Sequence, residues 1–185
     1  MGRRFNLNKK ILFLIFVIFS SIVVLVAKGI KVNATYPSAR EEHVAIGKSA
    51  TLQKDISFKV KKVQWMSNQE FVKKYGENPD VNKEEESKVV LVNVLVQNNK
   101  KKSVNVDFSR IYFERFGYSN GLCMDSTLEL GGSTGVKIKP GQEKETLLVY
   151  SMNQFQFSKT QWKQIEHTKN YLIRDWYPVK RCWDL

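Results

Sequence analysis

The chain has 185 residues, a formal net charge of +12, two histidines and two cysteines. That length fits one domain of ordinary size beside a short N-terminal segment. An aromatic share of 12% excludes a disordered tail, and so few histidines and cysteines leave zinc almost without ligands.

Residues 1–10, MGRRFNLNKK, carry Arg3, Arg4, Lys9 and Lys10 and no acid. Residues 11–27, ILFLIFVIFSSIVVLVA, carry no charge at all. As a helix they rise about 25 Å, against a hydrocarbon core of about 30 Å. The positive-inside rule keeps the basic tail cytoplasmic and exports the rest, because Lys28 and Lys31 are outnumbered. Two fates stay open: a retained signal-anchor, or a signal peptide cut after Ala34 with secretion of the remainder. The length and apolarity of the stretch favour the anchor. A core helix of a cytosolic protein would show one polar face, and this stretch shows none. It ends without a cysteine to carry a lipid.

Beyond the stretch a net charge of +8 remains, 26 basic against 18 acidic residues. The partners that suit an exported basic domain are anionic wall polymers, lipid headgroups or another envelope protein. Nucleic acid is not expected outside the cell. In an oxidising compartment Cys123 and Cys182 are expected to form one disulfide.

Residues 28–42 read as a linker, and residues 43–185 as the exported domain. Residues 43–53 and 55–66 read as the first strands. Ile56, Phe58 and Val60 alternate with polar neighbours, and Val63 and Trp65 resume the alternation after a shift at Lys61-Lys62, where a bulge would restore the face. Ser67 and Glu70 form a capping box, with Met66 and Phe71 as its hydrophobic staple, for a short helix that ends by Gly76. Residues 77–87, with three consecutive glutamates, read as an exposed charged loop.

Residues 88–98, KVVLVNVLVQN, are apolar on both faces, the pattern of a central strand. A turn at 98–102 follows. Val104, Val106 and Phe108 begin another strand that breaks near Ser109-Arg110. Residues 116–122 read as a loop, 127–130 as a short edge strand and 131–135 as a second loop. Residues 136–138 read as a brief strand, Pro140-Gly141 as a turn and 144–152 as a strand. Ser158 and Gln161 form a second capping box, with Phe157 and Trp162 as staple. Residues 171–183 read as the closing strand, with Pro178 arguing for an edge or bulge. Short strands separated by turn signals predict a mainly β fold, an Ig-like β-sandwich with Greek-key connections and two short capping helices, a closed barrel being the alternative.

The blocks Ala45-Ile46-Gly47-Lys48, 56–63, 88–98 and Ile138-Lys139-Pro140-Gly141-Gln142 resemble Ig-like exported domains of Gram-positive bacteria, over roughly residues 43–152. The resemblance implies a sandwich in a Gram-positive envelope, mostly without assigned function, and carries no catalytic residue over. The helix at 159–167 and the cysteine pair depart from the family's pattern.

The sequence holds no G-x-S-x-G, H-E-x-x-H, C-x-x-C or phosphate-cradling glycine loop. His43 stands at a domain edge and His167 at a helix end. No catalytic residue, cofactor or metal is therefore expected. Lysines offer the candidate site: Lys100, Lys101 and Lys102 on one turn, Lys61 and Lys62 near a strand end, and Lys137 and Lys139 on an edge. Lysine also protects sheet edges from association, so anionic-surface binding and edge protection compete as readings. The function expected is that of a tethered, non-catalytic binding domain. An envelope enzyme with a non-standard site, or a partner of a membrane complex acting through the helix, are the alternatives.

Overall fold

The computed structural model describes residues 9–81 and 86–185. The chain falls into two units, Met1–Ala39 and Arg40–Leu185.

The first unit is helix α1 (Lys9–Thr35), 27 residues and so about 40 Å long. Its Ile11–Thr35 part is long and apolar enough to cross a membrane, and none of it is buried. Two of its hydroxyls bond within the helix: that of Ser21 donates to the Val17 carbonyl at 2.9 Å and that of Thr35 to the Lys31 carbonyl at 2.8 Å. Internal satisfaction of this kind is what a lipid environment demands. The helix continues well past Ala27, so the linker expected at 28–42 shrinks to residues 36–39. Strand β1 (Arg40–Val44) already begins at Arg40.

The second unit is mainly β. A four-stranded antiparallel sheet has the order β2-β3-β4-β9 and is built from β2 (Ser49–Gln53), β3 (Ile56–Ser67), β4 (Ser87–Asn98) and β9 (Glu143–Asn153). A five-stranded sheet joins β1 to β11 (Val179–Asp184), β10 (Tyr171–Ile173), β6 (Tyr112–Arg115) and β7 (Tyr118–Asn120) in that order. Only β1 and β11 run parallel in it. A separate pair is formed by β5 (Val104–Asp107) and β8 (Gly135–Ile138).

The two large sheets pack face to face as a β-sandwich. Val90, Val92, Val94 and Val96 of β4 meet Phe113, Leu172 and Trp183 of the other sheet in one buried cluster. Ring pairs cross the interface: Phe58 with Trp183 at 5.0 Å and Trp65 with Phe113 at 5.6 Å, both edge to face. The buried phenol of Tyr150 donates to the Ile111 carbonyl at 3.2 Å. As expected, β4 is central and buries both faces. Its Val89 and Leu91 join Met66, Phe71, Cys123 and Val149 in a second cluster on the outer side. The bulge also stands where the alternation put it, with the register stepping from Val60↔Val94 to Lys62↔Asn93.

Both capping boxes form. Ser67 with Glu70 opens α2 (Asn68–Tyr75), and Ser158 with Gln161 opens α4 (Lys159–Gln164). Phe157 stacks on Trp162 at 6.1 Å, and Trp162 and Ile165 enter the main core.

Several segments differ from the sequence reading. Residues 43–53 belong to two strands in different sheets, because Gly47 (φ +82°) turns the chain and its N–H donates to the Val60 carbonyl at 2.8 Å. Residues 116–122 contain β7, hairpinned to β6 through Phe116 (φ +50°) and Gly117 (φ +81°). Such hairpin turns usually announce themselves by Asn-Gly, and phenylalanine at positive φ gives no such signal. Residues 127–130 are not an edge strand; they lie largely in helix α3 (Met124–Glu129). Its cap is remote: Asp80 accepts from the Ser126 backbone N–H at 2.8 Å and from its hydroxyl at 2.7 Å. Residues 171–183 are two antiparallel strands, not one. Within 77–87, Asn78 and Val81 are buried rather than exposed, and residues 82–85 lie outside the described residues.

Candidate functional site

Three turns meet at one end of the sandwich. The β2–β3 turn carries Lys54 and Asp55, the latter at φ +58°. The turn after β4 carries Lys100, Lys101 and Lys102. The turn between β8 and β9 carries Lys139, Pro140 and Gly141.

Asn98, fully buried at the end of β4, ties the last two together. Its Nδ2 donates to the carbonyls of Lys102 and Ile138, both at 2.9 Å, and its Oδ1 accepts from the Lys100 N–H at 2.9 Å. Its backbone exchanges bonds with Gln142 and Gly141, each at 2.9 Å. The first turn joins through the Asn99 N–H, which donates to the Asp55 carbonyl at 2.9 Å.

These bonds gather Lys54, Lys100, Lys101 and Lys102 around an open cleft of about 640 Å³, with Asp55 and Asn99 completing its lining. Four lysines and one aspartate line it. Each ammonium is a compact, strongly hydrated point charge with three rotatable donors, suited to diffuse, multiply charged anions rather than to a single bidentate carboxylate.

Of the lysines named from the sequence, Lys100, Lys101 and Lys102 line this cleft, and Lys139 stands on the adjoining turn. Lys61 and Lys62 do not lie near a strand end. Lys61 is the bulge residue in the middle of β3, 2.6 Å from the Glu145 carboxylate, and Lys62 stands opposite Asn93. Lys137 lines a separate shallow cleft of about 410 Å³ with Asn105, Asp107 and Thr134. Lys54 is the residue the sequence reading missed. Its signal was a two-residue polar turn between two alternating segments.

Cys123 and Cys182 are both buried free thiols. Cys123 belongs to the outer cluster of the four-stranded sheet, 3.3 Å from the Ser151 hydroxyl. Cys182 alternates with core-facing Trp183 in β11, so it points from the outer side of the other sheet. The sandwich stands between the two sulfurs, and the expected disulfide does not form.

Cys182 is the register partner of His43, whose Nδ1 lies 3.0 Å from the Asp184 carboxylate. Side chains of cysteine, histidine and aspartate therefore share one face, yet they are not assembled as a nucleophilic site. The His43 Nε2 is directed at Glu41, 3.8 Å away, and the thiol's contact is the Lys180 carbonyl at 3.9 Å. Burial pushes the Cys182 thiol up to about 11, whereas a nucleophilic cysteine needs a depressed value. On the same face Lys180 bridges Glu114 at 2.8 Å and Glu41 at 3.2 Å. Among the described residues no group of three or more metal-ligating side chains is arranged to hold an ion.

Residues 39–181 match a family described as a domain of unknown function, DUF5028. The chain belongs to that family. Comparison with curated proteins returns no match. Among solved structures, MPT63, a secreted protein of Mycobacterium tuberculosis, is 11% identical with a TM-score of 0.48, over 80% of this chain and all of its own. An uncharacterised β-sandwich protein of Clostridium difficile is 10% identical with a TM-score of 0.44, over 80% of this chain and 95% of its own. The YjhA protein of Bacillus subtilis is 13% identical with a TM-score of 0.43, over 74% of this chain and 83% of its own. The sandwich assigned to this DUF5028 chain rests on the packing of its own sheets.

Proposed function

We propose that this chain is a membrane-tethered, non-catalytic accessory domain of a Gram-positive cell envelope, built on an Ig-like sandwich. In this reading residues 1–10 are cytoplasmic, α1 is retained as a single-pass signal-anchor, and the chain from Arg40 onward is extracellular. The lysine-bearing end of the sandwich binds anionic, phosphate-bearing envelope material. One observation carries the binding claim: two turns distant in sequence bring Lys54, Lys100, Lys101 and Lys102 around one cleft. Edge protection would need no such gathering, since it works strand by strand.

Exposed charges are screened over about 8 Å at physiological ionic strength, so the association weakens steeply as salt rises. The test is cosedimentation of residues 40–185, which hold every buried core side chain described, with anionic vesicles and with purified walls at low and high salt. Binding at low salt that is lost on changing Lys100, Lys101 and Lys102 to glutamine supports the reading. Absence of binding at low salt, or indifference to the triple change, refutes it. Protease added to intact cells should remove the sandwich and leave a short membrane-bound fragment.

A further inference from the structure

We propose that the lysine-bearing end of the sandwich is a docking surface for the anionic headgroup layer of the membrane, with Trp176 and Tyr177 entering that layer as its aromatic contacts. This deepens the reading above and rests on it, because it requires α1 to be retained as an anchor.

The first support is where the chain joins the sandwich. Arg40 is the first residue of the second unit. Its N–H donates to the Pro178 carbonyl at 3.2 Å, and it is the register partner of Val179. The loop at 174–178 therefore stands beside the point of attachment. Only residues 36–39 separate that point from the end of α1, and four extended residues reach at most about 14 Å.

The second support is what that loop touches. The Arg174 guanidinium donates from Nη1 to the Leu52 carbonyl at 2.8 Å and from Nη2 to Oε1 of Gln53 at 3.3 Å. Arg181 donates to the Thr51 carbonyl. Thr51, Leu52 and Gln53 lead directly into Lys54. The attachment point, the 174–178 loop and the lysine cleft thus share one end of the sandwich.

The third support is composition. Trp176 and Tyr177 are 46% and 56% exposed, adjacent large aromatic rings with water on one side. Lys180 Nζ lies over the Trp176 ring, 5.4 Å from its centroid. Tryptophan and tyrosine are the residues that settle at membrane interfaces, where one end of the ring is apolar and the other wet. Lysines at the same end of the sandwich supply the charge complement of anionic headgroups. A soluble polyanion would explain the lysines but not the paired rings, nor their place beside the attachment point.

The experiment places the full chain in nanodiscs made either of equal phosphatidylglycerol and phosphatidylcholine or of phosphatidylcholine alone. Part of the lipid is brominated high on the acyl chain. The measurement is quenching of tryptophan emission, with Trp176→Phe as the reference that isolates this ring. In the anionic discs the bromolipid should quench a component that Trp176→Phe lacks. High salt, or glutamine at Lys100, Lys101 and Lys102, should reduce that component at least two-fold, as should removal of the anionic lipid. An unquenched Trp176 in anionic discs overturns the proposal, as does quenching equal in both lipids and at both salts. Binding of a soluble glycerol-phosphate polymer by the chain without Trp176 quenching also overturns it, while leaving the anionic-binding reading in place. A mature protein that begins at Thr35 overturns the proposal together with the tether of the reading above, and peptide mapping of the membrane fraction detects it.

Discussion

The Asn98 carboxamide donates to the Ile138 carbonyl at 2.9 Å, fastening the end of β4 to the end of β8 across 40 residues of sequence. With its bonds to Lys102 and Lys100, one buried side chain holds the cleft's 99–102 turn to the neighbouring turn between β8 and β9.

Asn98→Ala leaves two carbonyls and one N–H without their partner in a buried place. Each such loss costs about 1–3 kcal/mol, and partial access of water at the turn keeps the sum near about 3 kcal/mol. Urea unfolding of residues 40–185 should show a lowered midpoint at unchanged slope. Asn98→Asp should be at least as damaging, since it turns both donations into oxygen facing oxygen. A midpoint unmoved by either change would show that the turns are held by their backbone bonds alone.

Lys180 and Glu114 form an ion pair in which the side chains are only 15% and 11% exposed. Removing Lys180 strands Glu114, and buried pairs broken this way lose about 3–5 kcal/mol. Glu114 is the more vulnerable, since its Oε2 is already buried without a partner. Lys180→Met alone is therefore expected to destabilise strongly, and Lys180→Met with Glu114→Leu to recover much of the loss. Four urea melts complete the double-mutant cycle. Additive losses would mean that the pair is not coupled.

The capping boxes, the bulge, the central strand and the break between β5 and β6 were legible because each is written in neighbouring residues. Ser67 and Glu70 are three apart, and Val60 and Val63 reveal a lost phase by themselves. The misreadings share a different cause. The cap of α3 comes from Asp80, 46 residues before Ser126. The division of 40–53 depends on which sheet each half finds, and alternation cannot tell sheets apart. The site behaves alike: Lys100, Lys101 and Lys102 were visible as a run, but Lys54 joins them through the pairing of β3 with β4 and the Asn99–Asp55 contact. The disulfide was inferred from count and compartment, and failed because faces, not spacing, decide whether two sulfurs meet.

Both thiols should behave as buried free cysteines. In native buffer, iodoacetamide should react slowly; in urea without reductant it should add twice, by mass. Failure to add without reductant would restore the disulfide. Burial raises Cys123 and Cys182 from 9.0 to about 11. The folded state thus keeps protons that the unfolded state loses between these values, so stability falls as pH rises from 9 towards 11. Lys180 acts in the same direction. Burial works against its charge, but the hydrogen bonds it donates to Glu114 and Glu41 prevail and raise it above 10.5. Its contribution is complete below 10.5 and is lost as pH passes the raised value. The urea midpoint measured from pH 7 to pH 11 should therefore decline only above about 9. Cys123→Ser should flatten the early part of the decline. A midpoint that is level through pH 11 would contradict the burial of these groups.

The last test concerns how closely α3 approaches β9. The Gly132 N–H donates to the Thr127 carbonyl at 2.8 Å, closing the turn that follows the helix. A Cβ at Gly132 would stand 2.3 Å from the Leu147 carbonyl oxygen and 2.8 Å from that of Thr127. Both obstacles are backbone. Leu147 is held in β9 opposite Asn93, and the Thr127 hydroxyl accepts from the Val149 N–H at 3.1 Å. Neither can yield without opening the sheet edge that α3 covers, so Gly132→Ala should cost about 3 kcal/mol, at the upper end for overpacking. Its neighbour supplies the control. Gly131 has φ +75° but open space around its Cβ position, so Gly131→Ala meets only backbone strain of about 1 kcal/mol. Urea midpoints of the two variants, measured side by side, should differ in that order. If Gly132→Ala costs no more than Gly131→Ala, then α3 moves freely from β9, and the remote cap from Asp80 cannot be what fixes it there.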